Sequence, residues 1–277
     1  MKRFAGKTII VTGSGRHKGL GQGILQRFAD EGANCVVSDI GAPTTHMGED
    51  HIGNTDEMEE VADELRSRGG QAIALSCDVR DPASCEAMVA AAVTEFGQLD
   101  IMVNNAGIGY IMKSLVDVDA AEWDAVINVN LSGAFHCTAA AARHMLARGG
   151  GGRIINIASQ AAKSGFPHMV PYCSSKHGMI GLTRSAAVEL GGEGITVNAV
   201  CPNHVTTGLG EKQNEYFAKY NGFDNVDAYL KNMRDKNPSG RPGLPNDIAA
   251  ACAWLASDDA GYVTGEAMNV SGGEEMH

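Results

Sequence analysis

Short runs of apolar, often β-branched residues recur along the chain, each followed by a stretch with helical spacing. The runs are 7–12 (KTIIVT), 34–39 (NCVVSD), 71–78 (QAIALSCD), 99–104 (LDIMVN), 153–158 (RIINIA), 195–200 (ITVNAV) and 267–270 (AMNV). Near-continuous apolar runs suit strands buried on both faces, hence a parallel sheet covered by helices. Helical spacing falls around 21–31, 55–68, 83–96, 120–147, 171–190 and 246–257. Asp81-Pro82 and Pro245-Asn246-Asp247 supply start signals for two of these helices. Strands alternating with helices predict a single α/β domain over 1–277, doubly wound around a parallel sheet of about seven strands.

Two segments break the alternation. Residues 40–54 (IGAPTTHMGEDHIGN) make a long strand-to-helix connection, which either folds over a bound nucleotide or lies in solvent. Residues 208–238, rich in aromatic and charged side chains, read as an insertion that covers a substrate.

The chain has 22 basic and 33 acidic residues, a net charge of −11, which disfavours nucleic acid as a partner. Seven cysteines lie scattered without CxxC or metal-ligand spacing, so no metal is expected, and reduced, mostly buried thiols are. The N-terminal MKRFAGKTIIVTG carries too short an apolar run for a signal segment, and no stretch reaches membrane-spanning length. The expectation is a soluble, cytoplasmic protein with no membrane partner.

Candidate chemistry starts after the first run, in TGSGRHKGLG. Glycines there let backbone amides approach a pyrophosphate at the N-terminus of the next helix, which places Gly13, Gly19, Leu20 and Gly21 against a dinucleotide. Asp39, with Ile40 beside it, closes the second run. An acid there accepts the adenosine ribose hydroxyls and repels a 2′-phosphate, so NAD is expected rather than NADP. Lys18 argues the other way, since a cation beside Gly19 assists a phosphate, but it serves a pyrophosphate equally well.

Farther along, GFPHMVPYCSSKHG holds Tyr172 and Lys176, one helical turn apart on one face. A free phenol has a pKa of ~10, and a neighbouring ammonium favours the phenolate. Ser159 ends the fifth run, where the carboxyl edge of a parallel sheet gathers ligands and a hydroxyl can stabilise a developing oxyanion.

Together these segments resemble the short-chain dehydrogenase/reductase family over nearly the whole chain. The resemblance is carried by the glycine loop, Asp78-Val79, NNAG at 104–107, Asn130 in NVNLSGAF, Ser159, the Tyr172/Lys176 pair, Pro202 after NAVC, and VTGEAMNVSGG. It implies a Rossmann-type fold with Asn130, Ser159, Tyr172 and Lys176 as the catalytic set. Tyr172 would be the general acid/base, Lys176 would also bind the nicotinamide ribose, and Asn130 would anchor a proton-relay water. Asp78 and Val79 would hold the adenine, Asn105, Ala106 and Gly107 would lie along the cofactor, and Val205 and Thr207 would meet the nicotinamide side.

The expected activity is NAD-dependent interconversion of a secondary alcohol and a ketone. The alternatives are an NADPH-dependent 3-oxoacyl ketoreductase and a non-catalytic dinucleotide-binding regulator. Substrate contacts are expected from Gln160, His168 and His204, with Ile108, Tyr110 and Phe166 nearby, which favours a small polar hydroxyl compound. The Ala-, Met- and Leu-rich helices near 110–147 and 171–190 imply, by the resemblance, a homo-oligomer, with a tetramer favoured. Two departures from the family pattern stand out. The glycine loop is two residues longer between Gly13 and Gly19, and Asn203-His204 follows Pro202 where glycine is usual.

Overall fold

The computed structural model describes residues 2–42, 53–109, 111–205 and 210–276. Among them, seven strands form one parallel sheet in the order β3-β2-β1-β4-β5-β6-β7. The strands are β1 (Thr8–Thr12), β2 (Asn34–Asp39), β3 (Gln71–Ser76), β4 (Ile101–Asn104), β5 (Gly152–Ile157), β6 (Ile195–Pro202) and β7 (Ala267–Val270). The helices are α1 (Leu20–Asp30), α2 (Thr55–Ser67), α3 (Pro82–Phe96), α4 (Ala120–Ile127), α5 (Gly133–Arg148), α6 (Val170–Leu190), α7 (Gly210–Tyr220), α8 (Val226–Lys236) and α9 (Pro245–Ala256).

The alternation of side chains along a strand explains the two apolar layers. Ile9 and Val11 of β1 point into one core with Ile24, Leu25 and Phe28 of α1 and Ile248 and Cys252 of α9. Ile10, between them, points into the opposite core with Met88 of α3 and Cys137 and Met145 of α5. Every residue of β1 is buried, as a doubly covered strand requires. Cap chemistry sets several helix starts. Asp81 accepts from the Ala83 amide at 3.0 Å ahead of Pro82, and Asp119 and Glu122 form a capping box at α4.

Two elements differ from the sequence reading. The stretch 120–147 is not one helix, because a π-helical turn over Asn128–Ser132 separates α4 from α5 and carries Asn130. The insertion at 208–238 contains α7 and α8, whose turn is closed by Asn225 capping the Ala228 amide at 2.9 Å. Of the 40–54 connection, residues 43–52 lie outside the described residues. Its two ends meet in a parallel bridge between Gly41 and Asn54.

β1 pairs with β2 on one side and β4 on the other, so the strand order reverses at β1. The carboxyl ends of β1 and β4 therefore diverge into a crevice, the place where an open α/β sheet binds ligands.

Candidate active site

The glycine loop and the loop after β4 interlock across that crevice. The Thr12 hydroxyl accepts from the amides of Asn105 and Ala106, both at 3.1 Å. The Asn105 amide donates back to the carbonyls of Thr12 and Gly13, both at 2.9 Å. Asn105 is thus committed to shaping the loop. Side chains are excluded here: a Cβ on Gly13 would lie 2.7 Å from Ala106 Cα, and one on Gly21 would lie 2.8 Å from the Gly13 carbonyl oxygen. Gly19 caps α1 without any side-chain acceptor. The first amides of α1 thus have no side-chain capping partner, as a phosphate-binding helix start requires.

A cavity of about 780 Å³ runs from this loop to the carboxyl ends of β5 and β6. Asp39, Ile40, Asp78, Val79, Gly13, Gly19, Leu20, Ala106, Gly107 and Val205 line it, and so does Asn105. Thr207 and Tyr110 lie outside the described residues, and Lys18 does not line the cavity. The Lys18 residue holds a positive φ of 58°, and its amide donates to Gln22 at 2.6 Å. Arg16 and His17 line the wall instead. His17 is tied to α2, its amide donating to Glu57 at 2.8 Å and its ring meeting Glu60 at 3.1 Å.

The Asp39 carboxylate accepts from the amides of Gly15 at 3.1 Å and Ile40 at 2.9 Å. Burial holds its pKa above the ordinary carboxylate value, against the pull of those amides and of the Arg16 charge. Asp78 does the opposite. Arg80 grips both its oxygens, Nε to Oδ1 at 2.8 Å and Nη2 to Oδ2 at 2.5 Å, and holds the carboxyl below its usual range. These features fit a dinucleotide: a glycine cradle with no room for side chains, an open helix start, and an acid near the cradle.

Ser159, Tyr172 and Lys176 share the same cavity wall. Pro171 at the start of α6 allows the chain to turn from the loop into the helix that carries Tyr172 and Lys176. The Ser159 hydroxyl lies close enough to the Tyr172 phenol to draw its pKa down and accepts from the Ala161 amide at 3.1 Å. Lys176 is 4% exposed. Its Nζ donates to the Ile157 carbonyl at 2.7 Å and lies 5.6 Å from the Tyr172 ring centroid.

The electrostatics of this pair differ from the sequence expectation. Burial raises the phenol pKa above its ordinary value, and the neighbouring Ser159 hydroxyl offsets part of that rise. Burial also lowers the Lys176 ammonium to about 8. Desolvation outweighs mutual attraction because Lys176 is buried, Tyr172 is half-buried, and the ammonium is bound to a backbone carbonyl.

Asn130 stands just behind, fully buried. Its side chain pairs with both backbone groups of Ile108, accepting from N at 2.8 Å and donating to O at 2.9 Å, and donates to Ser175 Oγ at 3.0 Å. Its amide thus fixes the loop after β4 against α6.

Of the expected substrate contacts, Gln160, His204, Ile108 and Phe166 line the cavity, whereas His168 does not. The His168 ring is occupied by the Tyr216 hydroxyl and packs against Tyr220 at 4.6 Å between centroids. Tyr229, Asn232 and Lys236, from the insertion at 208–238 expected to cover a substrate, line the far wall, and with them stand two residues that sequence reasoning did not place there, Asn203 and Glu274. The signal for Asn203 was its place in a position usually held by glycine; Glu274 gave none.

Residues 13–275 match the family described as Enoyl-(Acyl carrier protein) reductase. A (2S)-[(R)-hydroxy(phenyl)methyl]succinyl-CoA dehydrogenase subunit of Thauera aromatica is 35% identical over 98% of this chain and 97% of its own length. A 3-oxoacyl-[acyl-carrier-protein] reductase of Staphylococcus aureus is 36% identical over 98% of each chain. The crystal structure of carveol dehydrogenase from Mycobacterium avium in complex with NAD superposes with a TM-score of 0.91 at 32% identity, covering 98% of each chain.

Proposed function

The chain belongs to the short-chain dehydrogenase/reductase family, and from that premise we propose that it oxidises a secondary alcohol, or reduces the ketone, with NAD and the Ser159–Tyr172–Lys176 set. Family membership makes it an NAD(P)-dependent oxidoreductase acting on a CH–OH group. The preference for NAD and the roles of individual residues are our reading.

The observation that carries it is the shared cavity. One wall presents the phenol of Tyr172 beside Ser159 and Lys176, and the same space reaches the start of α1 and Asp39. The nicotinamide, when bound, supplies or takes the hydride. Tyr172 removes the hydroxyl proton in oxidation and returns it in reduction. Ser159 donates to the substrate oxygen as charge develops there. Lys176 provides a cation in a dry setting, where it stabilises the phenolate more strongly than in water. Asn130 keeps the loop after β4 in register with α6 and so positions Lys176. Asp78, Val79, Asn105, Ala106 and Gly107 form the cofactor wall, with Val205 toward the nicotinamide end.

Asp39 favours NAD, because a buried carboxylate at the cradle repels a 2′-phosphate. Arg16 weighs toward the NADPH-dependent 3-oxoacyl reading, since its charge acts on Asp39 from the same wall. The test is an NAD and NADP reduction screen over a diverse alcohol library with Tyr172→Phe alongside. That variant should bind NAD within a few-fold of the parent and lose turnover by several orders of magnitude. Near-normal turnover would remove the assignment.

Exposed apolar side chains on α4 and α5, Trp123, Phe135 and Leu146, support a homo-oligomer, with a tetramer favoured. Among the described residues no helix is long and apolar enough to cross a membrane, and we place the enzyme in the cytoplasm.

A further inference from the structure

The far wall of the cavity is built from the chain's last residues. Asn237 donates to the Ser271 carbonyl at 3.0 Å, and the Ser239 amide donates to the Gly272 carbonyl at 3.1 Å. Gly272 turns there with φ +65°; a Cβ would lie 2.5 Å from Asn237 Oδ1 and from Ser239 Oγ. Beyond the turn, Asn269 and Ser271 hold the Glu275 carbonyl at 3.1 and 3.2 Å. The chain is therefore pinned on both sides of Glu274, which lines the cavity. Asn203 donates to Glu274 Oε2. Oε1 takes no hydrogen bond among the described residues.

The surroundings of that carboxylate are polar but balanced. Lys236, Asn232 and Tyr229 of α8 face the same space, with His204 across from them. Lys236 has no ion-pair partner among the described residues, so one cation and one anion share the wall. Burial keeps the His204 imidazole below its ordinary pKa and the Tyr229 phenol above its own, the latter helped by the Glu274 charge. Near neutrality both present uncharged hydrogen-bonding groups. Phe217, Tyr220 and Phe223 also line the space.

An apolar alcohol entering this space would strip water from Glu274, Lys236 and Asn232 without replacing its hydrogen bonds. A polar group left without a partner is penalised, and a charged one more so. A substrate bearing a carboxylate would meet Lys236 but also Glu274. An uncharged chain of hydroxyls matches the set: hydroxyls donate to the free carboxylate oxygen, accept from the ammonium and amide, and lay their C–H edges on the rings.

We propose that the substrate is an uncharged, hydroxyl-rich molecule, a polyol or sugar, and that Glu274, held in place by Asn203, selects it. This rests on the dehydrogenase reading above. The residue usually replaced by glycine after Pro202 thereby gains a purpose, as the tether of the C-terminal segment to the substrate wall.

The test measures kcat/KM with NAD for short linear polyols, for cyclohexanol and for 3-hydroxybutyrate, in the parent, Glu274→Gln and Asn203→Gly, with calorimetric titration of xylitol into the protein–NAD complex. The parent should prefer polyols. In Glu274→Gln the ratio of polyol to cyclohexanol kcat/KM should fall roughly ten- to a hundredfold, the range for a hydrogen bond to a charged group. Asn203→Gly should move the ratio the same way by less, and Glu274→Asp should recover part of it. Preference for cyclohexanol or hydroxybutyrate in the parent, or an unchanged ratio in Glu274→Gln, overturns the proposal while leaving the dehydrogenase reading intact. No turnover with any alcohol or ketone, with either nucleotide, overturns both.

Discussion

The Lys176 ammonium donates to the Ile157 carbonyl at 2.7 Å while lying over the Tyr172 ring, 5.6 Å from its centroid. The cation is thus anchored to β5 before any ligand arrives. Its position relative to the phenol is set by the sheet and by α6 together.

The burial of Lys176 makes folding stability depend on pH. Its folded pKa of about 8 lies below the value of 10.5 for a free lysine, so between the two the unfolded chain binds the extra proton. Stability from this group therefore rises as pH climbs from about 8 toward 10.5, and its burial penalty is fully present below that window. Lys176→Met removes the group. Urea titrations should show the variant gaining most over the parent near pH 7, with the gap closing by pH 10. A gap independent of pH would mean that Lys176 titrates normally in the folded protein.

Asp39 bonds the Gly15 amide while facing the cavity. Asp39→Ala should narrow the NAD-over-NADP ratio of kcat/KM by roughly ten- to a hundredfold, as expected for losing hydrogen bonds to a charge. It should also weaken NAD binding, because Gly15 loses its acceptor. An unchanged ratio would assign selection to another group, with Arg16 first in line.

The cradle leaves no room at Gly21, where a Cβ would lie 2.8 Å from Asn105 Nδ2, the Gly13 carbonyl oxygen and Ser14 Cα. Gly21→Ala should destabilise the fold by about 1–3 kcal/mol and raise the NAD dissociation constant in fluorescence titration by more than tenfold. Tight NAD binding by this variant would place the phosphates elsewhere.

The thiols should be quiet. Six of the seven cysteines are buried and Cys173 is half-buried. Burial pushes Cys35 and Cys252 up to about 12 and raises Cys173 as well, which removes the reactive thiolate. A thiol-reactive dye at neutral pH should label Cys173 slowly in the native protein and all seven cysteines after denaturation.

Much of this architecture was legible because its signals are local. Two-sided apolar runs mark doubly covered strands, and Asp81-Pro82 marks a helix start. The spacing of Ser159, Tyr172 and Lys176 survives because one loop and one helix connect them. What escaped was decided by distant contacts. The π-helical turn at Asn130 follows from pairing with Ile108, and that spacing has no sequence mark within a helical run. His168 turned away because Tyr216, on an inserted helix, took its ring. The burial that raises the Tyr172 phenol comes from packing against the core on that face of the sheet, which the Tyr-to-Lys spacing does not describe. Glu274 reached the cavity through a glycine turn braced by Asn237 and Ser239, contacts that no window of sequence contains.

The bridge between Gly41 and Asn54 pins both ends of a long connection at the rim of the nucleotide site. With its ends already fixed, chain length between them affects stability weakly, by about 0.6 kcal/mol for each doubling. This makes the position a natural graft point. A peptide epitope, a fluorophore-bearing segment or a small reporter domain inserted there would be carried on a stem already closed by that bridge, next to the glycine loop, while the sheet beneath stayed as it is.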